Sequence, residues 1–320
     1  MTARRQIIIA HRGASGYLPE HTLAAKALAH AMGADYLEQD LVLSKDGIPM
    51  VLHDVYLDTV TDVARRYPGR SRRNGRFYAI DFTLAELKKL KVKERFNRET
   101  SEPIFKGRFP HELALFEIPT LEEELQFIRG LNQSTGKNTG IYPEIKAPSW
   151  HRAQGRDISR IVLEILARYN YNTTADRIYL QCFDFSEIRR IRTELGYAGK
   201  LIQLLGEYSP GRSTIDYLLL RTRRGLEKLS KVADGIGPSM KLVVTGQRPG
   251  RYRTTNLVKN AHDFQLEVHP YTFRADLLPK YASSLEELFR IFFVEAGVDG
   301  VFTDHPDRGV LFLLGQGQTP

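Results

Sequence analysis

The sequence predicts an α/β fold, specifically a parallel (β/α)8 TIM barrel, from three observations. Short β-rich runs alternate with helical patterns along nearly the whole 320-residue chain. One of the nine runs follows its predecessor too closely for a parallel crossover, which leaves eight. Polar residues recur at the ends of these runs, where barrel strands bring distant parts of a chain together.

The first run is IIIA (Ile7 to Ala10), followed by a helical stretch from His21 to Met32 and by YLEQDLV (Tyr36 to Val42). PMVLHD (Pro49 to Asp54) comes after only SKDGI, and a Lys-Asp-Gly turn suits a hairpin. Then come IYPEI (Ile141 to Ile145), a helix from about Asp157 to Tyr169, IYLQCF (Ile178 to Phe183), a helix from about Ser186 to Leu195, and LIQLL (Leu201 to Leu205). A helix from about Leu218 to Val232 precedes DGIGP (Asp234 to Pro238), then QLEVHPY (Gln265 to Tyr271), a periodic helix from Ser284 to Ala296, and GVFTD (Gly300 to Asp304). The rhythm breaks between Asp54 and Thr120. The organisation expected is therefore one barrel domain over 1–320, with residues at about 55–119 forming an inserted subdomain on its catalytic face, placed to cap the pocket.

Composition narrows the class. An apolar fraction of 42% with 10% aromatics fills a sizeable core, and no run approaches the roughly 20 apolar residues of a membrane span. The apolar run after Arg4 and Arg5 is too short for an export signal, so the expectation is a periplasmic protein if the chain is a processed form and a cytoplasmic one otherwise. Lone Cys182, set among apolar residues, reads as a buried small hydrophobe. The net charge of +8 and pI near 9.4 suit an anionic partner. Much of the excess lies in Arg65, Arg66, Arg70, Arg72, Arg73 and Arg76, read as a solvated basic loop, and no nucleic-acid reading motif accompanies it.

The candidate site is assembled from strand ends: His11 and Arg12 after IIIA, Glu38 and Asp40 in YLEQDL, His53 and Asp54 after MVL, and Glu144 and Lys146 in YPEIK. Glu38 and Asp40, two apart on a strand, share a face. Buried like charges are costly, so the pair asks for a cation. With Glu144 as a third oxygen donor the set suits Mg2+ or Ca2+ rather than zinc. Ion pairing with Arg12 and Lys146 would equally neutralise the acids, and spacing alone leaves those two readings balanced. Two histidines beside such a cluster point to proton transfer. Arg12 and Lys146 then suit an anionic substrate.

The blocks HRGASGYLPEHTLAA, LEQDLVLSKDGIPMVLHD, YPEIKAP, YLQCFD, VHPYT and GVFTDHPD resemble the signature blocks of glycerophosphodiester phosphodiesterases, most closely the longer bacterial periplasmic type. They run in order across almost the whole chain, and the first two are highly specific. The resemblance implies hydrolysis of deacylated phospholipid head-group diesters to an alcohol and sn-glycerol 3-phosphate. It implies one divalent cation, Ca2+ ahead of Mg2+, held by Glu38, Asp40 and Glu144. His11 and His53 match the catalytic histidines, and Arg12 and Lys146 match phosphate-contacting positions. Gln181 and His269 are weaker candidates for lining the substrate pocket, and Asp54 for orienting nearby groups. The expected partner is a small glycerophosphodiester, with no nucleic acid and no membrane span; a homodimer stays open. Rival readings are a lysophospholipid- or phosphoinositide-acting phosphodiesterase on the same barrel, or a non-catalytic binder of phosphodiesters or nucleic acid.

Overall fold

The computed structural model describes residues 5–207 and 216–317. Its strands in chain order are β1 (Ile7–Ala10), β2 (Tyr36–Leu43), β3 (Pro49–Val51), β4 (Gly140–Ile145), β5 (Tyr179–Cys182), β6 (Lys200–Leu205), β7 (Gly235–Pro238), β8 (Val244–Arg248), β9 (Arg251–Thr254), β10 (Glu267–Val268) and β11 (Gly300–Thr303). Eight of them form a parallel wall in the order β10-β7-β6-β5-β4-β2-β1-β11. The amides of Asp299 and Phe302 reach the carbonyls of Val268 and Pro270, each at 3.1 Å, and bring the two ends of the wall together. The (β/α)8 barrel expected from the alternation is the observed fold.

β3 pairs antiparallel with β2, Val42 opposite Met50, across a turn in which Gly47 takes φ +80°. His53 thus leaves a hairpin rather than a wall strand, as the short SKDGI connection requires. Beneath the mouth the barrel is filled by Ile9, Tyr36, Tyr142, Tyr179, Ile202 and Phe302, with Tyr142 stacked on Tyr179 at 5.0 Å. This aromatic layer makes the interior a packed core and leaves only the mouth for chemistry.

Several elements differ from expectation. The first helix runs Leu23–Ala31 and not from His21, because His21 sits at φ +62° and Thr22 caps the helix by accepting from the Ala25 amide. The stretch from Leu218 breaks into two short helices, Tyr217–Leu220 and Arg223–Leu229. The helix from Ser284 passes into π geometry over Arg290–Ala296. QLEVHPY supplies only the two-residue β10. The helices Leu121–Thr135 and Pro306–Gly315 and the β8/β9 hairpin were not expected. A signal for the first was present, since Thr120 and Glu123 form a capping box.

Residues 55–119 hold only short helical turns and isolated bridges, packed around an apolar cluster of Leu57, Val60, Phe77, Phe82, Leu87, Leu90 and Val92 that also takes in Val42 and Met50. Of the arginine cluster within it, Arg65, Arg66, Arg70 and Arg73 are exposed, as expected of a solvated loop, while Arg72 and Arg76 are partly covered. Arg72 is bidentate to Asp81 and lies over the Tyr78 ring, and Arg76 is bidentate to Asp58 and lies over Tyr56. Nearby carboxylates and aromatic faces absorb charge that composition alone presents as free. No described helix is long and apolar enough to cross a membrane.

Candidate active site

A pocket of about 410 Å³ opens at the C-terminal ends of the wall strands, and His11, Arg12, Glu38, Asp40, His53, Glu144, Lys146 and Gln181 all line it. Strand register assembles the acids. Asp40 lies opposite Glu144 and Glu144 opposite Gln181, so three neighbouring strands present side chains at one level. Arg12 takes φ +59° and Gly13 φ +89°, and a Cβ on Gly13 would come within 2.8 Å of the Ala25 backbone. That tight turn lets the Arg12 amide donate to Glu38 Oε2 at 2.6 Å.

His269 is not brought to the pocket. Its ring is fully buried in the aromatic layer, with Nδ1 2.9 Å from the Tyr142 hydroxyl. Position near a strand end suggested the mouth, but the strand is short and the ring turns downward. Cys182 is buried, and burial pushes its thiol up beyond the usual range, as expected of a small core residue.

The three acids differ in charge state. Burial and then the neighbouring Asp40 push Glu38 well above the usual carboxylate range. Glu144 rises to about 8, again from burial first, with Asp40 adding to it against the pull of Lys146. Burial opposes ionisation of Asp40 too, but Lys146, His53 and the hydrogen bond from His21 outweigh it and hold that carboxyl well down. Lys146 Nζ is 2.9 Å from Glu144 and 3.4 Å from Asp40, and Arg12 Nε is 3.5 Å from Asp40. Lys146 and Arg12 thus pair with Asp40 and Glu144, and Arg12 is shared with Glu20 at 2.9 Å.

The residues fit a hard divalent cation. Asp40 Oδ1 is buried without a hydrogen-bond partner, two of the acids are driven toward protonation, and the carboxylate donors are all oxygen. His21, Glu38 and Asp40 also present ligand atoms within 4.8 Å of one another. His21 stands in the first sequence block and was passed over; its Nε2 lies 2.7 Å from Asp40 Oδ2 and orients that carboxylate.

Both candidate histidines are braced at Nδ1. His11 lies 2.6 Å from Asp304 Oδ1 and His53 lies 2.8 Å from Asp54 Oδ1. Asp304 is held far below its ordinary range by Arg274, His11 and Arg108 against the cost of burial, and Asp54 by His53 and Arg95. Both carboxylates are thus acceptors, each Nδ1 carries the proton, and each Nε2 remains for the pocket. Burial and then Arg12 lower His11 to about 4; burial, Arg12 and Lys146 lower His53 to about 3. Both shifts favour the neutral imidazole.

The remaining pocket wall, which sequence reasoning did not find, comes from loops after β5, β6, β7 and β10: Phe183, Glu207, Ser239, Lys241, Tyr271 and Arg274. Glu207 accepts from Ser239 Oγ at 3.3 Å and from Lys241 at 3.1 Å. Arg274 donates to Asp304 at 2.8 Å.

Residues 11–308 match the glycerophosphoryl diester phosphodiesterase family. The chain belongs to that family. It is thereby an enzyme of the phosphoric diester hydrolase class. A glycerophosphodiester phosphodiesterase of Haemophilus influenzae is 44% identical over 97% of this chain and 90% of its own length. One of Treponema pallidum is 42% identical over 97% and 92%. The fold likewise matches a crystal structure from Silicibacter pomeroyi, with a TM-score of 0.72 at 23% identity over 99% of this chain and 95% of that one. It also matches an Oleispira antarctica phosphodiesterase solved with sn-glycerol-3-phosphate, at a TM-score of 0.64 and 20% identity, over 98% and 97%.

Proposed function

We propose that the chain hydrolyses glycerophosphodiesters to an alcohol and sn-glycerol 3-phosphate, with a divalent cation held by Glu38, Asp40 and Glu144 and with His11 and His53 moving the protons. The observation that carries this reading is the pairing of two imidazoles, each braced at Nδ1, in one pocket with three buried acids of which two are driven toward protonation.

Arg12 and Lys146 supply fixed cations for the non-bridging phosphate oxygens, Arg12 with a planar fork suited to two of them. A bound divalent cation would add charge against those oxygens and complete the neutralisation of the three carboxylates. One neutral histidine accepts the proton of the attacking hydroxyl or water. The other delivers a proton to the departing alkoxide, taking up its charge when the anionic phosphate enters and offsets Arg12 and Lys146. Gln181, whose Oε1 is buried and without a hydrogen-bond partner, offers an acceptor to a substrate hydroxyl. The family resemblance puts Ca2+ first and Mg2+ second.

The deciding experiment measures glycerol 3-phosphate release from glycerophosphocholine, glycerophosphoethanolamine, glycerophosphoglycerol and a lysophospholipid, before and after chelation and with each cation restored in turn. Release from the glycerophosphodiesters that stops on chelation and returns with Ca2+ or Mg2+ supports the reading. Undiminished activity in the chelated enzyme removes the metal, and preference for the lysophospholipid removes the substrate class.

A further inference from the structure

Two arginines of the inserted segment reach carboxylates behind the barrel mouth, and each anchors a chain of charges that ends on one of the two histidines. Arg95 donates to both oxygens of Glu20, at 2.9 and 2.6 Å, and through Nη1 to Asp54 Oδ2 at 2.8 Å. The other oxygen of Asp54 accepts from His53 Nδ1. Arg108 donates to both oxygens of Asp276, at 2.7 and 3.0 Å, and through Nη2 to Asp304 Oδ2 at 2.8 Å. The other oxygen of Asp304 accepts from His11 Nδ1. The two arginine side chains are 16% and 5% exposed, and neither lines the pocket.

We propose that Arg95 and Arg108 are positioning residues, through which the insertion locks both imidazoles from outside the barrel. This rests on the proton-transfer reading of His11 and His53. A carboxylate bonded at one oxygen to an imidazole can still swing about its terminal torsion. A guanidinium on the second oxygen removes that freedom and fixes the ring plane, and with it the direction of Nε2. Charge-assisted bonds shielded in part from solvent are strong enough for this, and misplacement of a proton-transfer group by a single ångström is costly. The arms are unequal. Asp304 is also held by Arg274 from the barrel itself, whereas Asp54 is bonded by its own histidine and by Arg95. Arg95 further reaches Arg12 through Glu20, so it orders one histidine and one phosphate-facing cation together.

The test uses the full chain with Arg95→Gln, Arg95→Lys, Arg108→Gln and, as a control on the insertion surface, Arg72→Gln. Two readouts are taken: kcat and KM for glycerophosphocholine at saturating divalent cation, and the 15N–1H signals of the imidazole Nδ1–H groups. Arg95→Gln is expected to lower kcat by about 10- to 100-fold with a much smaller change in KM. Arg108→Gln should lose less, because Arg274 remains, and Arg95→Lys should recover part of the loss. Arg72→Gln should match the parent. The His53 Nδ1–H signal should shift or vanish in Arg95→Gln while that of His11 persists. Parental kcat and unchanged imidazole signals in both glutamine variants would overturn the proposal, leaving the arginines as ties between insertion and barrel. Should the parent release no glycerol 3-phosphate from any diester, the functional reading fails, and the imidazole signals still decide the positioning.

Discussion

His53 and His269 both lie at the ends of short strands, and each has a carboxylate within 3.5 Å of its ring. His53 is 30% exposed and faces a pocket lined by Arg12, Lys146 and the acids Glu38, Asp40 and Glu144; His269 is fully buried against the Tyr142 hydroxyl in the layer below. Residue type and neighbouring charge are therefore shared, and access is what separates them. A ring braced at one nitrogen and open at the other can exchange protons with a ligand. One enclosed by Tyr142 and Tyr179 stabilises the core instead.

The largest expected effect tests that contrast directly. His53→Ala should lower kcat by about 10²- to 10⁴-fold with little change in Tm. His269→Leu should leave kcat unchanged and lower unfolding stability by about 1–3 kcal/mol, because the buried Tyr142 hydroxyl loses its partner. Steady-state kinetics and denaturant melts on both variants check the pair. A large kcat loss in the second would join the lower layer to the site.

A smaller effect separates the two pocket cations from plain charge. Arg12→Lys keeps the charge but loses the fork that contacts Glu20 and faces Asp40. A loss of roughly tenfold in kcat/KM is expected, the equivalent of one charge-assisted hydrogen bond. Parental kcat/KM for the lysine variant would reduce Arg12 to a point charge.

The barrel and its mouth were legible because they rest on local pattern. Strand alternation, the short turn before PMVLHD, and acids two apart on YLEQDL translate directly into wall, hairpin and shared face. What stayed hidden depends on partners far apart in sequence. Asp304 stood in a quoted block, but its role follows only from β11 lying beside β1. Arg95 and Arg108 sit in the segment without periodicity, where an arginine that will be buried looks like one that will be solvated. His269 was misplaced because sequence marks a strand end without marking which way the side chain there will point.

Glu20 and Glu94 carry the same lesson at the smallest scale, Glu94 buried and Glu20 partly buried at the edge of the insertion. Burial opposes ionisation of Glu20, but Arg12 and Arg95 outweigh it and hold the carboxyl well below the usual range. Glu94 is 3% exposed with Oε2 unbonded, and burial together with the charge of Glu20 pushes it up to about 7. A carboxyl raised in the fold favours the folded state in its protonated form. Its contribution is complete below the ordinary value near 4.5 and is lost as pH rises through about 7. Glu94→Gln, which keeps the shape and cannot ionise, should therefore match the parent near pH 4.5 and exceed it in Tm by a few degrees at pH 8. Thermal melts across that interval decide the matter. A Tm difference that does not change with pH would mean that Glu94 ionises as an ordinary carboxyl, and that the unbonded oxygen has found a partner in solution.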